Sequence, residues 1–401
     1  MTKVSIVIPH KGRDSILLWH LRELEKQTYQ DFELIVVIDD MCDSESYLAN
    51  ELPNSLWSGG IGPGASRNLG AEQASGDIIL ILGSDCIPDK NLVARHVYEH
   101  EFHGADIVQG YTLWHPDVIT PFYDFIDASG LQAAWSNLKD KNGKWHREVS
   151  PSFCLTTNWS IKRQLLLSEP FDARLDPAAY DDIDLGYRLS KYNDAIKQVF
   201  SPDAVNYHYH RYDFDSFLQR SRMEGYNRLK LCKIHPEMGW NMVNPFELRV
   251  ARRIEEQEIV SWAKELDSVS MDRDTEQVKE LRKIKYERYA EACKTFSLKG
   301  VLDRIKDEHP AMQAIEHVHT NEQVIQILSG VNALEDGHIG YAAHCAQWYV
   351  SERSDDWAAY SFLGEVEIAA GNINEARNAF EKSLMINPGE EWPKKRIKEM
   401  A

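Results

Sequence analysis

The sequence predicts an α/β domain built on a mixed sheet, followed by an all-α helical region. Three observations predict it. Short apolar runs alternate with amphipathic stretches over the first ninety or so residues, residues 105–175 are aromatic and irregular, and from about Pro245 the composition shifts to charged helix formers.

Val4 to Ile8 reads as a buried strand closing at Pro9. "SILLWHLRELEKQ" reads as an amphipathic helix with Ile16, Leu17, Leu21 and Leu24 on its apolar face, and "FELIVVIDD" as a second strand. Strand, helix and strand at this spacing form a βαβ unit with parallel strands. A Gly-rich stretch, "SGGIGPGASRNLG", leads into a helix from about Ala65 to Ala74, then a strand from Ile78 to Leu82 that runs straight into Gly83-Ser84-Asp85. Ligands of such sheets bind beyond the carboxyl ends of the strands, where Asp39, Asp40 and Asp85 fall.

Further on, Trp114, Trp135, Trp145 and Trp159 suit either a core or sugar-stacking platforms. "FDARLDPAAYDDIDLGYRLSKY" puts carboxylates at the start of a helix, where the helix dipole favours negative charge. In "DAVNYHYHRYD" two histidines two residues apart on a strand point to one side. His96, His100 and His103 follow helical spacing and read as a surface stripe. The Gly59 to Gly64 cluster fits neither a P-loop nor a dinucleotide fingerprint.

In residues 321–401, Gly330 and Gly364, Gly337 and Gly371, Ala342 and Ala376, and Ala346 and Phe380 are each 34 residues apart. With Leu363 and Pro388, this matches a tetratricopeptide helix pair: one good repeat and one degenerate. The expected division is a sheet domain over 1–244, a charged helical linker region over 245–320 and tetratricopeptide-like helices over 321–401.

The formal charge of -18 argues against a nucleic-acid partner. The six cysteines contain no C-x-x-C pair, so neither a zinc knuckle nor a dense disulfide framework is suggested. The amino terminus carries no charged-then-apolar leader, and no apolar run is long enough for a transmembrane segment. A cytoplasmic protein is expected.

Taken together, "VSIVIPHKGR", "ELIVVIDD" and "GPGASRNLGAEQASGDIILILGSD" resemble an inverting family 2 glycosyltransferase of the nucleotide-sugar-binding, Rossmann-like fold called GT-A, over about Lys3 to Arg211. The resemblance implies that Asp39, with Asp40 beside it, holds the nucleotide base, that Arg67 and Asn68 line the same pocket, and that Gly83-Ser84-Asp85 stands where the family has Asp-x-Asp. Gly83 replaces the first acid of that segment, and Asp85 keeps the metal-binding place. The resemblance further implies Asp182 as the catalytic base beside Asp181, Asn158 and Trp159 as donor or acceptor contacts, and His208 rather than His210 as a second metal ligand. Pro9 and Ser84 complete the expected donor site.

Each residue type suits its role. A hard divalent cation, Mn2+ or Mg2+, takes oxygen ligands and commonly keeps phosphate oxygens, so an Asp fixed by a strand is a suitable anchor. Asp85 alone would equally cap its turn. Asp39 can accept the ring N–H of uracil or thymine, which favours a UDP-sugar donor. A carboxylate on a helix N-terminus is well placed to take a proton from an acceptor hydroxyl; Asp184 reads as a helix-dipole and solubility residue, and the entire run is also consistent with a solvated acidic helix start. The expected activity is metal-dependent inverting transfer of a sugar to a hydroxyl of a protein or glycan acceptor, with a protein partner engaged through the helical repeats. Two alternatives are a degenerate scaffold that recruits partners through those repeats and a sugar-phosphate nucleotidyltransferase, for which "PHKGRDS" is a weak phosphate loop.

Overall fold

The computed structural model describes residues 2–41, 47–175, 179–192, 195–235, 251, 254–269, 275–308, 333–334 and 338–400. Cys42, Pro245, Gly330 and Gly337 lie outside the described residues. Two compact units divide between Phe217 and Leu218.

In the first unit, β1 (Val4–His10), β2 (Phe32–Ile38), β3 (Leu56–Trp57), β4 (Ile78–Leu82), β5 (Cys86–Pro88), β6 (Ile107–Trp114), β7 (Asn158–Lys162) and β8 (Gln198–His208) form one eight-stranded sheet in the order β3-β2-β1-β4-β7-β6-β8-β5. β1 pairs parallel with β2 and with β4, as the βαβ reading requires. β7 runs antiparallel to both β4 and β6, and β6 and β8 are parallel, so β1, β2, β4, β6 and β8 end at one edge. The expected mixed sheet is therefore present.

Helices cover both faces, which is why the strands are apolar without alternation. Ile6 and Ile8 of β1 and Leu80 and Leu82 of β4 pack with Leu17 and Leu24 of α1 (Asp14–Leu24) and with Val93 and Val97 of α4 (Leu92–His103). Val7, Ile79 and Ile81 face the other way, toward Ala71 of α3 (Pro63–Gln73) and Leu185 and Leu189 of α7 (Asp181–Ser190). A side chain on Gly70 would collide with Val7, so glycine lets α3 lie close on β1. Between these lie α2 (Tyr47–Glu51), α5 (Pro121–Ser129) and α6 (Arg163–Ser168).

The first unit runs to Phe217, where aromatic rings pack together. Phe214 and Phe217 open α8 (Phe214–Ile234), and their rings meet Phe122; Phe217 also meets Phe125 and Tyr212.

The second unit contains the rest of α8, α9 (Glu256–Lys264), α10 (Glu276–Glu308), α11 (Ile339–Glu352), α12 (Trp357–Ala369), α13 (Ile373–Ile386) and α14 (Glu391–Glu399). The stretch expected to link the domains is in part a packed helix. A side chain at Gly225 of α8 would strike the backbone of Ser297, and one at Gly300 of α10 the backbone of Arg222, so the two helices meet backbone to backbone. Gly364 of α12 likewise faces the Phe380 ring of α13, and Ala342, Ala346, Ala376 and Phe380 are buried. No helix among the described residues is long and apolar enough to cross a membrane.

Candidate active site

The edge where β1, β2, β4 and β8 end collects most of the predicted residues. Asp85 follows β4 by three residues, and Gly83 N–H donates to Thr157 O at 3.1 Å, tying the turn to the chain entering β7. His208 is the last residue of β8, and the backbone N–H of Tyr209 donates to Asp85 O at 2.7 Å. The Asp85 Oδ2 atom lies 3.2 Å from His208 Nε2, 3.5 Å from His210 Nδ1 and 2.9 Å from Arg13 Nη2. Asp85, His208 and His210 each offer one ligand atom, all within 4.8 Å of one another. One carboxylate oxygen and two imidazole nitrogens form a donor set that suits a divalent cation such as Mn2+.

Burial raises the Asp85 carboxyl, but its interactions with His208 and the Arg13 guanidinium outweigh it and hold the group well below the usual carboxylate range. Asp85 is therefore ionised. Burial lowers the His210 imidazole below its ordinary value, and the Arg13 charge adds to this against the pull of Asp85. A neutral ring is the ligating form.

Neighbouring rings hold the histidines. Trp114, the β6 partner of His208 in the sheet register, stacks on it with centroids 5.3 Å apart and planes 17° apart, and its indole N–H donates to Asp127 Oδ1 at 2.8 Å. His210 stacks on Tyr212 at 4.1 Å, and its carbonyl accepts from Tyr123 Oη. One face of Trp114 is thus taken up by His208. Trp135 and Trp145 cluster with Tyr111 and Phe200.

Asp39 is buried just past β2, where its Oδ1 accepts from Ser58 Oγ at 2.8 Å and from the Gly62 N–H at 3.1 Å. It thereby fixes the Gly-rich turn leading into α3. Its Oδ2 faces Lys11 Nζ at 3.9 Å. Asp40 is exposed and accepts from its neighbour Met41 N–H. Pro9 lies within β1 opposite Val37, and Ser84 is half-buried.

Asp181 and Asp182 begin α7. Asp181 pairs with Arg67 of α3, whose guanidinium lies over the Phe171 ring at 5.3 Å. Asn68 bonds the Phe171 backbone twice, through Nδ2 to O at 2.8 Å and from N to Oδ1 at 3.0 Å. Arg67 and Asn68 therefore join α3 to the chain before α7. Asp182 is half-buried, and its Oδ1 accepts from Ile183 N–H at 2.9 Å. Asp182 and Asp181 both act on the Cys154 thiol, which burial already pushes well up. Residues 154–157 thus run from the neighbourhood of Asp182 to the Asp85 turn.

Three expectations need correction. Asn158 and Trp159 are fully buried. Asn158 Nδ2 donates to Ala204 O at 2.8 Å and Tyr111 O at 3.3 Å, and its Oδ1 meets His96 Nε2 at 2.8 Å, so its polar atoms serve the sheet interior and not a sugar. His96 and His100 form no surface stripe. Both are buried, joined through Ser160 Oγ at 2.7 and 2.8 Å, because the strand beneath α4 carries polar groups for them to meet. Asp184 is fully buried and paired with Arg188 at 2.9 Å, so it is a packing residue rather than a solubility one.

Sequence reasoning does not single out Arg13, and it ranks His210 below His208. The signals are a basic residue after Gly12, just past the first strand, and a second histidine two residues beyond the end of β8.

Asp85 and His208 thus lie beyond β4 and at the end of β8, on a sheet whose β1, β2 and β4 are parallel. Residues 5–169 match glycosyl transferase family 2. The matched stretch includes Asp39, Arg67 and Asp85. A curated relative, glycosyltransferase GlyG of Streptococcus pneumoniae serotype 4, is 26% identical over 173 residues, 40% of this chain and 57% of GlyG. The chain thus spans a little over half of that relative's length. Among solved structures, S. aureus TarS is 16% identical over 75% of this chain and 55% of TarS, with a TM-score of 0.42. The Pyrobaculum calidifontis mannosyltransferase PcManGT, solved with GDP-Man and Mn2+, is 16% identical over 77% of this chain and 88% of its own, with a TM-score of 0.46.

Proposed function

We propose that the sheet domain transfers a sugar, with inversion, from a nucleoside diphosphate donor to a hydroxyl of a protein or glycan acceptor. The observation that carries the proposal is the convergence of Asp85, His208 and His210 at the strand ends of a sheet whose residues 5–169 match glycosyl transferase family 2. A divalent cation, Mn2+ or Mg2+, held by those three residues would neutralise charge on the departing diphosphate. UDP-sugars are the favoured donors: Asp39, buried at the edge of β2, has one oxygen engaged by Ser58 and Gly62 and a second that can accept a uracil ring N–H. Asp182 takes the acceptor proton. Its half-buried carboxylate at the start of α7 and the neighbouring Asp181–Arg67 pair support that role, since the pair fixes the helix end that carries it.

The helices from Ile339 onward serve as a tetratricopeptide-like partner surface, a reading supported by the Gly364–Phe380 contact and the 34-residue spacing. The buried free thiols of Cys86, Cys154, Cys293 and Cys345 suit a reducing cytoplasm.

The test is release of nucleoside diphosphate from a panel of UDP-, GDP- and dTDP-sugars with Mn2+ and candidate acceptors. Manganese-dependent release from a UDP-sugar is expected. No release with any donor would favour a scaffold.

A further inference from the structure

Arg13 sits in left-handed backbone at φ 57°, directly after Gly12 at φ 66°. Two consecutive left-handed residues turn the chain sharply at the end of β1 and send the Arg13 side chain to the Asp85 cluster. Its Nη2 lies 2.9 Å from Asp85 Oδ2 and its Nη1 2.7 Å from His210 Nδ1.

A guanidinium only donates. His210 Nδ1 must therefore accept, and it cannot at the same time donate to Asp85, 3.5 Å away; the shorter contact governs. Arg13 thus occupies both the Asp85 oxygen and the His210 lone pair that a cation would need. Asp85 is also the only carboxylate in the cluster among the described residues. One guanidinium balances it, whereas a divalent cation beside a guanidinium would leave an excess of positive charge.

We propose that Arg13 is a built-in counterion of the Asp85–His208–His210 cluster, which a divalent cation must displace, so that the cation binds weakly until a diphosphate brings compensating negative charge. This rests on the cluster being the cation site of the proposed glycosyltransferase. Arg13 is half-exposed, with 45% of its side chain open to solvent, so the guanidinium can swing away without opening the core. A displaced guanidinium beside a diphosphate would find bidentate phosphate partners, which couples the two binding events.

The test is titration of the full chain with Mn2+ alone, followed by loss of the free Mn2+ resonance signal, and again with saturating UDP. R13Q is compared with R13N, which tolerates left-handed backbone, and with the wild-type chain; thermal melting checks that each folds. The proposal expects R13Q and R13N to bind Mn2+ alone about tenfold or more tightly than wild type, D85N to abolish that gain in the R13Q background, and UDP to tighten Mn2+ binding less in R13Q than in wild type. Equal or weaker Mn2+ binding in both Arg13 variants would overturn it and leave the transfer reading standing. Absence of Mn2+ binding in every chain would overturn it too; manganese-independent release of UDP from a UDP-sugar would then still uphold glycosyl transfer without this cluster.

Discussion

Trp114 and His208 are cross-strand neighbours whose rings stack at 5.3 Å with planes 17° apart. Because Trp114 is itself fixed by its indole hydrogen bond to Asp127, it holds His208 Nε2 pointed at Asp85. W114A should therefore lower Mn2+ affinity by about tenfold, as losses of outer-shell support do, with little change in the far-UV spectrum. Unchanged affinity would show that the stacking does not orient the ligand.

The Arg67–Asp181 pair is largely buried and links α3 to the helix that carries Asp182. D181N should destabilise the sheet domain by about 3 kcal/mol, since it leaves a buried guanidinium with no anion. Replacing both partners, as in R67M/D181L, should recover part of that loss. Urea unfolding of the three chains checks both statements.

His20, His96 and His100 are buried, and burial lowers their imidazoles to about 4, about 3 and about 4. In the unfolded chain they titrate near about 6.5. Between about pH 6.5 and about pH 3 the unfolded state binds more protons, so stability falls as pH drops through that window and levels off below it. Urea midpoints should be lower at pH 5 than at pH 7.5, and H100Q should show a smaller drop between the two. Equal midpoints for the wild-type chain at both values would contradict this burial.

With Asp182 as the base, D182N should reduce transfer by about a hundredfold or more while leaving UDP-sugar binding intact. Calorimetry with the donor beside a transfer assay separates the two effects. Full turnover in D182N would assign the proton to another group.

The sheet was legible because its signal is local. Apolar runs buried on both faces, such as Ile78–Leu82, announce parallel strands, and Asp39 and Asp85 follow them directly in sequence. Asp85 and His208 meet only because β4 and β8 end at one edge, an arrangement the family resemblance supplied and spacing alone could not. Residues whose roles depend on what lies beneath them were misread. His96 and His100 look like an exposed stripe until the polar interior at Asn158 and Ser160 is seen, and Asn158 looks available to a sugar until its hydrogen bonds are followed. Arg13 is not legible in the sequence because its partners lie just past β4 and β8, 72 and 197 residues further along the chain.

The most direct measurement is Mn2+-dependent release of UDP from a UDP-sugar by the wild-type chain and by D85N. The account predicts release that requires Mn2+ in the wild type and is lost in D85N at every Mn2+ concentration. Equal, manganese-dependent release by D85N would contradict it.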